Sequence, residues 1–348
     1  MDLASLGWDS FFDSAFAPFR DQGLVAARVA MEDKHAYVLL NDQGDFTASV
    51  SGKFLHQRDS NAELPKVGDW VAASLVPGED KAIIHAVLPR RTKLARKVPG
   101  REFEEQVLAA NIDVAFVTQA LDQSFNPRRL ERFLIMVHEG GAKPVVVLNK
   151  TDLCDALDAR LTEAQRAAGS APIVPACALS GRGMKELREF LQPCTTSVFI
   201  GPSGVGKSSL INRLYGEEIQ ATLEVRESDA KGRHSTTWRE LIVLPNGALV
   251  IDTPGMREFH IWLANQGLPE TFPDIEEIAV RCHFRSCTHT VEKRCAVKEA
   301  VEAGQLPRAR YENFLKLKHE IDYMVEERRK HTYMARKREA AARRGESV

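Results

Sequence analysis

VVVLNKTD occupies residues 145–152. A short apolar run, rich in β-branched residues, ends in a polar Asn-Lys-Thr-Asp turn. Such a run, bounded by turn residues, is the pattern of a strand buried on both faces of a parallel sheet. An Asp just past such a strand can accept hydrogen bonds from the ring N–H and the exocyclic amine of guanine together, a reading that adenine does not offer. Asp152 has that position. Asn149 can bond the purine and tie neighbouring loops together, the Lys150 stem can lie over the ring, and Thr151 completes the turn. Four residues alone also fit an ordinary surface loop after a strand.

Two further segments narrow the reading. PACALSG at 175–181 follows another apolar run. It is similar to the loop whose backbone N–H reads the guanine carbonyl, with Ala178 as the donor between Cys177 and Leu179. Cys177 stands where Ser is usual. GPSGVGKSS at 201–209 matches G-x-x-x-x-G-K-[ST], follows the apolar strand TSVFI and opens a helix, which is the context the motif requires. Gly201, Gly204 and Gly206, with Pro202, Ser203 and Val205 between them, let the backbone wrap a phosphate with its N–H groups inward. The helix start adds its positive end. Lys207 would reach the β- and γ-phosphates, Ser208 would ligate Mg²⁺, and Ser209 comes next in the first turn. DTPG at 252–255 ends another strand. Asp252 is placed to reach Mg²⁺ and the Gly255 N–H to bond the γ-phosphate.

The order is base motif, second base loop, phosphate loop, then Asp-Thr-Pro-Gly. That is a cyclic rotation of the order usual in GTPases, and domain termini lie close enough for such re-cutting. The chain therefore leaves the domain next to the γ-phosphate sensor. The region after residue 265 is expected to feel the nucleotide state.

The rest of the chain fits this centre. Its 348 residues, 44% hydrophobic and 27% charged, imply two or three soluble domains. A net charge of −1 excludes a polycation, so nucleic-acid contact needs local basic patches. The start, MDLASLGWDSFF, lacks a basic n-region, and no stretch reaches the roughly 18 apolar residues that span a bilayer. A cytoplasmic protein with no membrane partner is expected. Residues 22–88 read as five short strands between Gly- and Pro-containing turns, which suits an OB-fold barrel; an SH3-like module fits the same periodicity. PRRTKLARK at 89–97 reads as a basic connector, with Arg90, Arg91, Lys93, Arg96 and Lys97 as a basic strip that agrees with an RNA partner. Strands and helices then alternate to residue 252, the pattern of an α/β domain with a mainly parallel sheet. From Arg328 to the end, eight Lys/Arg face two Glu. This tail can lie along phosphates or be a solvated helix end.

Two elements remain. The long polar stretch before RELIVL carries GRHSTT. There Thr237, or Thr236, can complete Mg²⁺ coordination. Met256 stands where many GTPases carry a water-orienting Gln, so His234 is the candidate for that task, with an exposed loop His as the competing reading. Cys282, Cys287, His289 and Cys295 form Cys-x4-Cys-x-His-x5-Cys, three thiolates and an imidazole suited to one structural Zn²⁺. A redox-active or simply buried thiol group is the alternative.

Taken together, VGDWV (67–71), NPRRLERFL (126–134), NKTD, GPSGVGKSS, GRHSTT, DTPGMREF and the cysteine cluster resemble the ribosome small-subunit-dependent GTPase A family. The resemblance covers nearly the whole chain. It implies an N-terminal OB-fold barrel with an extension and linker (1–95), a circularly permuted P-loop GTPase domain (96–264) and a zinc-binding helical domain with a basic tail (265–348). It also implies GTP and GDP as ligands, the small ribosomal subunit and its rRNA as partner, subunit-stimulated hydrolysis, action in late subunit assembly, and a catalytic role for His234 beside Lys207. Cys177 and Ser235 depart from the family pattern. A monomer is expected. The competing readings are an RNA-binding assembly factor that uses GTP mainly to order its domains, and an ATPase.

Overall fold

The computed structural model describes residues 2–33, 36–98, 103–216, 239–253, 261–262, 264 and 266–344, with the side chains of 335 and 338–344 left outside that description. The chain opens with α1 (Ser10–Arg20), capped by Asp9, whose carboxylate accepts from Phe11 N and Phe12 N. Phe12 and Phe16, four residues apart on one helix face, are buried against Trp70 and Leu88. No helix is legible there from the turn signals alone. β1 (Val25–Asp33), β2 (Ala36–Asn41) and β3 (Gly44–Val50) come next, then the short α2 (Gly52–Gln57), β4 (Trp70–Leu75) and β5 (Lys81–Val87). Neighbours run β1-β2-β3-β5-β4, and β4 returns to β1. That closes a five-stranded barrel with the OB-fold order. Its interior is filled by Val29, Tyr37, Leu39, Phe46, Val71 and Ile84, the inward alternates of each strand.

The expected basic connector is half strand. β6 (Lys93–Lys97) pairs antiparallel with β7 (Glu105–Ala110) as a separate hairpin. Arg90, Arg91, Lys93 and Arg96 are partnered, although Arg91 and Lys93 keep 41% and 44% of their side chains exposed. Arg90 forks onto Asp69 at 2.8 and 2.7 Å and onto the carbonyls of Ala62 and Leu64. Arg91 meets Asp9 at 2.5 Å, Lys93 meets Glu105 at 2.6 Å, and Arg96 donates to Gln106 at 2.9 Å. Basic residues in sequence carry no record of which acids fold beside them.

The α/β part comprises β8 (Val114–Ala120), α3 (Pro127–Glu139), β9 (Lys143–Asn149), α4 (Leu157–Ala168), β10 (Ile173–Pro175), α5 (Met184–Glu189), β11 (Thr196–Ile200), α6 (Lys207–Tyr215), β12 (Arg239–Val243) and β13 (Leu249–Asp252). Pro127 sits at the first turn of α3 under an Asn126 cap, where a missing N–H costs nothing. The strand order is β10-β9-β8-β11-β13-β12. Only β12 is antiparallel to its neighbour within this set. Counted from β11, the same order reads 6-5-4-1-3-2. The permutation thus changes the connections and leaves the sheet intact.

One strand joins the two sheets. β1 pairs with β4 through Val25–Arg28 and with β12 through Met31 and Glu32, across a register shift at Val29/Met31. Among the described residues, eleven strands form a continuous sheet. Arg28, fully buried in the junction, donates to the carbonyls of Leu6 and Asn111 and to Thr196 Oγ1. It also lies 5.5 Å from the Trp70 ring.

The C-terminal helices are α7 (Gly267–Thr271), α8 (Pro273–Ala279), α9 (Ala296–Glu302) and α10 (Arg308–Arg344). The basic tail, as far as Arg344, is therefore the second half of one long helix. Phe272, Ile275, Val297, Phe314 and Leu317 make a separate small core. This unit is fastened to α3 by charges. Glu131, with no exposed surface, accepts from Arg128, Arg310 and Asn313, and Arg132 forks onto Glu320 at 2.7 Å. Among the described residues no helix is long and apolar enough to cross a membrane.

Candidate functional site

The carboxyl ends of β9, β10, β11 and β13 lie side by side along the parallel part of the sheet. This is the edge where open α/β sheets bind ligands. It carries Asn149, the loop after Pro175, Gly201 and Asp252, residues far apart in the chain.

The phosphate loop is shaped by its glycines. Gly201 and Gly206 have φ of 147° and 91°. A Cβ on the first would collide with the Thr118 carbonyl, and on the second with the Asn149 amide. Ser203 and Gly204 are exposed and Val205 is buried. Lys207 begins α6, and its Nζ folds onto the carbonyls of Gly201 and Pro202 at 3.1 and 3.0 Å. Burial pulls the Lys207 pKa down to about 8, against the pull of Asp252. Burial likewise pushes Asp252 up to about 6, with Lys207 opposing. Ser208 Oγ lies 3.4 Å from Asp252 Oδ2, and Ser209 beside it is half-buried. Asp252 Oδ1 is buried without a hydrogen-bond partner among the described residues. A buried carboxylate oxygen left open beside a hydroxyl fits a hard cation or its water. Thr253 Oγ1 donates to the Phe199 carbonyl at 2.7 Å and holds the two strand ends together. His234, Thr236, Thr237, Gly255 and Met256 lie outside the described residues.

The base loops are tied to this loop. Asn149 is buried; its Nδ2 donates to the Val205 carbonyl at 2.8 Å and its Oδ1 accepts from Ala178 N at 3.2 Å. The Ala178 N–H expected to meet guanine is thus engaged by Asn149 in this structure. Thr151 is buried, with its N–H on the Ala176 carbonyl. Lys150 takes a left-handed φ of 61°, and its Nζ is 3.2 Å from Asp122. Asp152 is exposed and accepts from the Cys177 thiol at 3.0 Å. Leu179, 84% exposed, carries the second loop at the open surface. The departure from Ser at 177 therefore keeps a side-chain donor on Asp152, which reasoning from backbone roles alone missed. Asp122 was also missed, because no motif in sequence marks it.

The cysteine cluster assembles against the core of the C-terminal helices. The nearest ligand atoms of Cys282, Cys287, His289 and Cys295 lie within 4.8 Å of one another. Cys282 and Cys295 sulfurs are 3.9 Å apart, and His289 Nδ1 stands 3.6 and 3.4 Å from them. A tetrahedral Zn²⁺ with Zn–S near 2.3 Å sets sulfurs about 3.8 Å apart, so the donor set fits that ion. The Tyr311 hydroxyl donates to the His289 carbonyl at 2.6 Å and ties the cluster to α10.

Comparisons with known proteins agree with this geometry. Residues 87–262 match the family model described as RsgA GTPase. The chain is 47% identical over 334 residues to the small ribosomal subunit biogenesis GTPase RsgA of Opitutus terrae, covering 93% of this chain and 90% of that one. It is 43% identical over 332 residues to the protein of the same name from Syntrophotalea carbinolica, covering 92% and 90%. Among solved structures it is similar to YjeQ from Thermotoga maritima, with a TM-score of 0.63 at 28% identity, over 86% of this chain and 98% of that one. YloQ, titled a circularly permuted GTPase, aligns with a TM-score of 0.59 at 25% identity, over 86% and 95%.

Proposed function

Because the chain belongs to the RsgA GTPase family, and so is a GTP hydrolase, we propose that it acts in biogenesis of the small ribosomal subunit and that binding to the subunit and its rRNA stimulates hydrolysis. The observation that carries the reading is the meeting of Asn149–Asp152, Gly201–Ser208 and Asp252 on one edge of the sheet. Asp152 reads the guanine ring N–H and amine, with Asn149, Lys150 and Thr151 shaping the pocket and the Cys177–Leu179 loop flanking it. Gly201 to Ser209 wrap the phosphates. Ser208 and Asp252, with Thr237, would hold Mg²⁺, which would supply charge neutralisation at the phosphates. Lys207 stabilises charge on the transferring group, and His234 orients water.

Coupling to a partner is built into the order of the chain. Just after the Asp252 segment, Ile261 N donates to Glu320 of α10 at 3.3 Å. Trp262 packs on Phe103 at 4.5 Å, and Phe103 stacks on His331 of α10 at 5.1 Å. Residues that follow Asp252 closely in sequence thus contact the helix that carries the basic tail. The tail would meet rRNA phosphates. The protein works as a cytoplasmic monomer with one structural Zn²⁺.

Asp152→Asn tests the base reading. An amide replaces one acceptor with a donor, so preference should move from GDP toward xanthosine diphosphate, which carries a carbonyl in place of the amine. Competition binding with the two nucleotides should show GDP weakened by about tenfold or more, roughly the loss of one charge-assisted pair. An unchanged preference would remove Asp152 from the guanine site.

A further inference from the structure

We propose that Asp122 is a positioning residue of the guanine site: it anchors the Lys150 ammonium so that the lysine stem is already laid out as a cover for the purine. The inference rests on the reading of Asn149–Asp152 as the guanine loop.

β8 lies between β9, which ends in that loop, and β11, which ends in the phosphate loop. The residues just past β8 therefore stand beside the base. The Leu121 N–H donates to the Asn149 carbonyl at 2.8 Å and zips the two strand ends together. Asp122 is the next residue. One of its oxygens accepts from Ser124 N at 2.8 Å, which fixes the carboxylate in a tight turn. The other meets Lys150 Nζ at 3.2 Å. Lys150 is held at both ends: its backbone by the left-handed turn, its ammonium by Asp122. Both side chains keep somewhat over a quarter of their surface exposed, so the pair borders an open site. Burial works against the Asp122 charge, but the Ser124 hydrogen bonds and the Lys150 charge hold its carboxyl below the usual range.

A lysine stem has among the largest side-chain entropies to lose on ordering. An ion pair that orders it before the ligand arrives removes that loss from binding, which is preorganisation. Asp122 would then tighten nucleotide binding without touching the nucleotide. Since a stem lying on a ring does not distinguish purines, its contribution should be equal for guanine and hypoxanthine.

Asp122→Asn separates these roles, because the amide oxygen still accepts from Ser124 N while the charge is gone. Release of fluorescent GDP from the full-length protein should become about fivefold faster, the scale of a partly exposed ion pair. Inosine diphosphate should be affected equally. Lys150→Met, which keeps the stem and removes the ammonium, should reproduce the change. Asp122→Asn in the Lys150→Ala background should add nothing. Unchanged release in Asp122→Asn or in Lys150→Met, or the same acceleration without Lys150, would overturn the inference. Failure of the guanine reading is recognised separately, by an Asp152→Asn protein that keeps its preference for GDP.

Discussion

Replacing Lys207 by alanine is expected to slow GTP hydrolysis by on the order of a hundred- to a thousandfold, the range found when one donor to a developing oxyanion is removed. The reason lies in its surroundings. The ammonium is buried at the start of α6, where it donates to the Gly201 and Pro202 carbonyls. A triphosphate arriving in this loop would replace two neutral acceptors with charged ones, and alanine offers no donor to take the place of the lost side chain. Single-turnover phosphate release at saturating GTP measures the effect, with affinity determined separately. The pH dependence of binding checks the same group. Lys207 is drawn down to about 8 by burial, and an adjacent triphosphate would raise it. Binding then takes up a proton in the interval between the two values. The Lys207 contribution to affinity is therefore full below about pH 8 and falls as pH rises above it. A Lys207→Ala protein that hydrolyses GTP at near the parental rate would contradict this assignment.

Withdrawal of zinc is expected to unfold the C-terminal unit while leaving the sheet in place. Structural zinc sites contribute on the order of 10–16 kcal/mol to folding. The core served here is small. Cys295 is itself part of it, along with Phe272, Val297, Phe314 and Leu317, and α9 begins at the residue after Cys295. Without metal, three thiols and an imidazole would hold two short helices with few apolar contacts of their own. Cys282→Ser and Cys295→Ser should abolish stoichiometric zinc in elemental measurement. They should also split thermal unfolding into an early transition for the helical unit and a late one for the rest. A chelator-treated protein that is metal-free and melts as the parent does would contradict a structural role.

Much of this was legible in sequence because it is local. The run VVVLN and the motifs after it lie within single strands and loops, so the residues announce their own neighbours. The permuted order could be read for the same reason. What escaped was non-local. Phe12 and Phe16 mark a helix only once Trp70 and Leu88 are known to lie beneath them. The continuous sheet depends on β1 reaching Arg239 and Glu240, in a strand from the far side of the α/β part of the chain. Arg90 reads as a free cation until Asp69 folds beside it. The contacts of Cys177 with Asp152 and of Lys150 with Asp122 join loops from different strands, and no spacing rule reports them.

The most direct test of the account is phosphate release from GTP and from ATP, each with and without purified small ribosomal subunits. The prediction is hydrolysis of GTP alone, slow for the free protein and strongly accelerated by the subunit. A GTP rate that stays flat as subunits are added would contradict the proposed ribosomal activation and favour a protein that uses the nucleotide to order its domains.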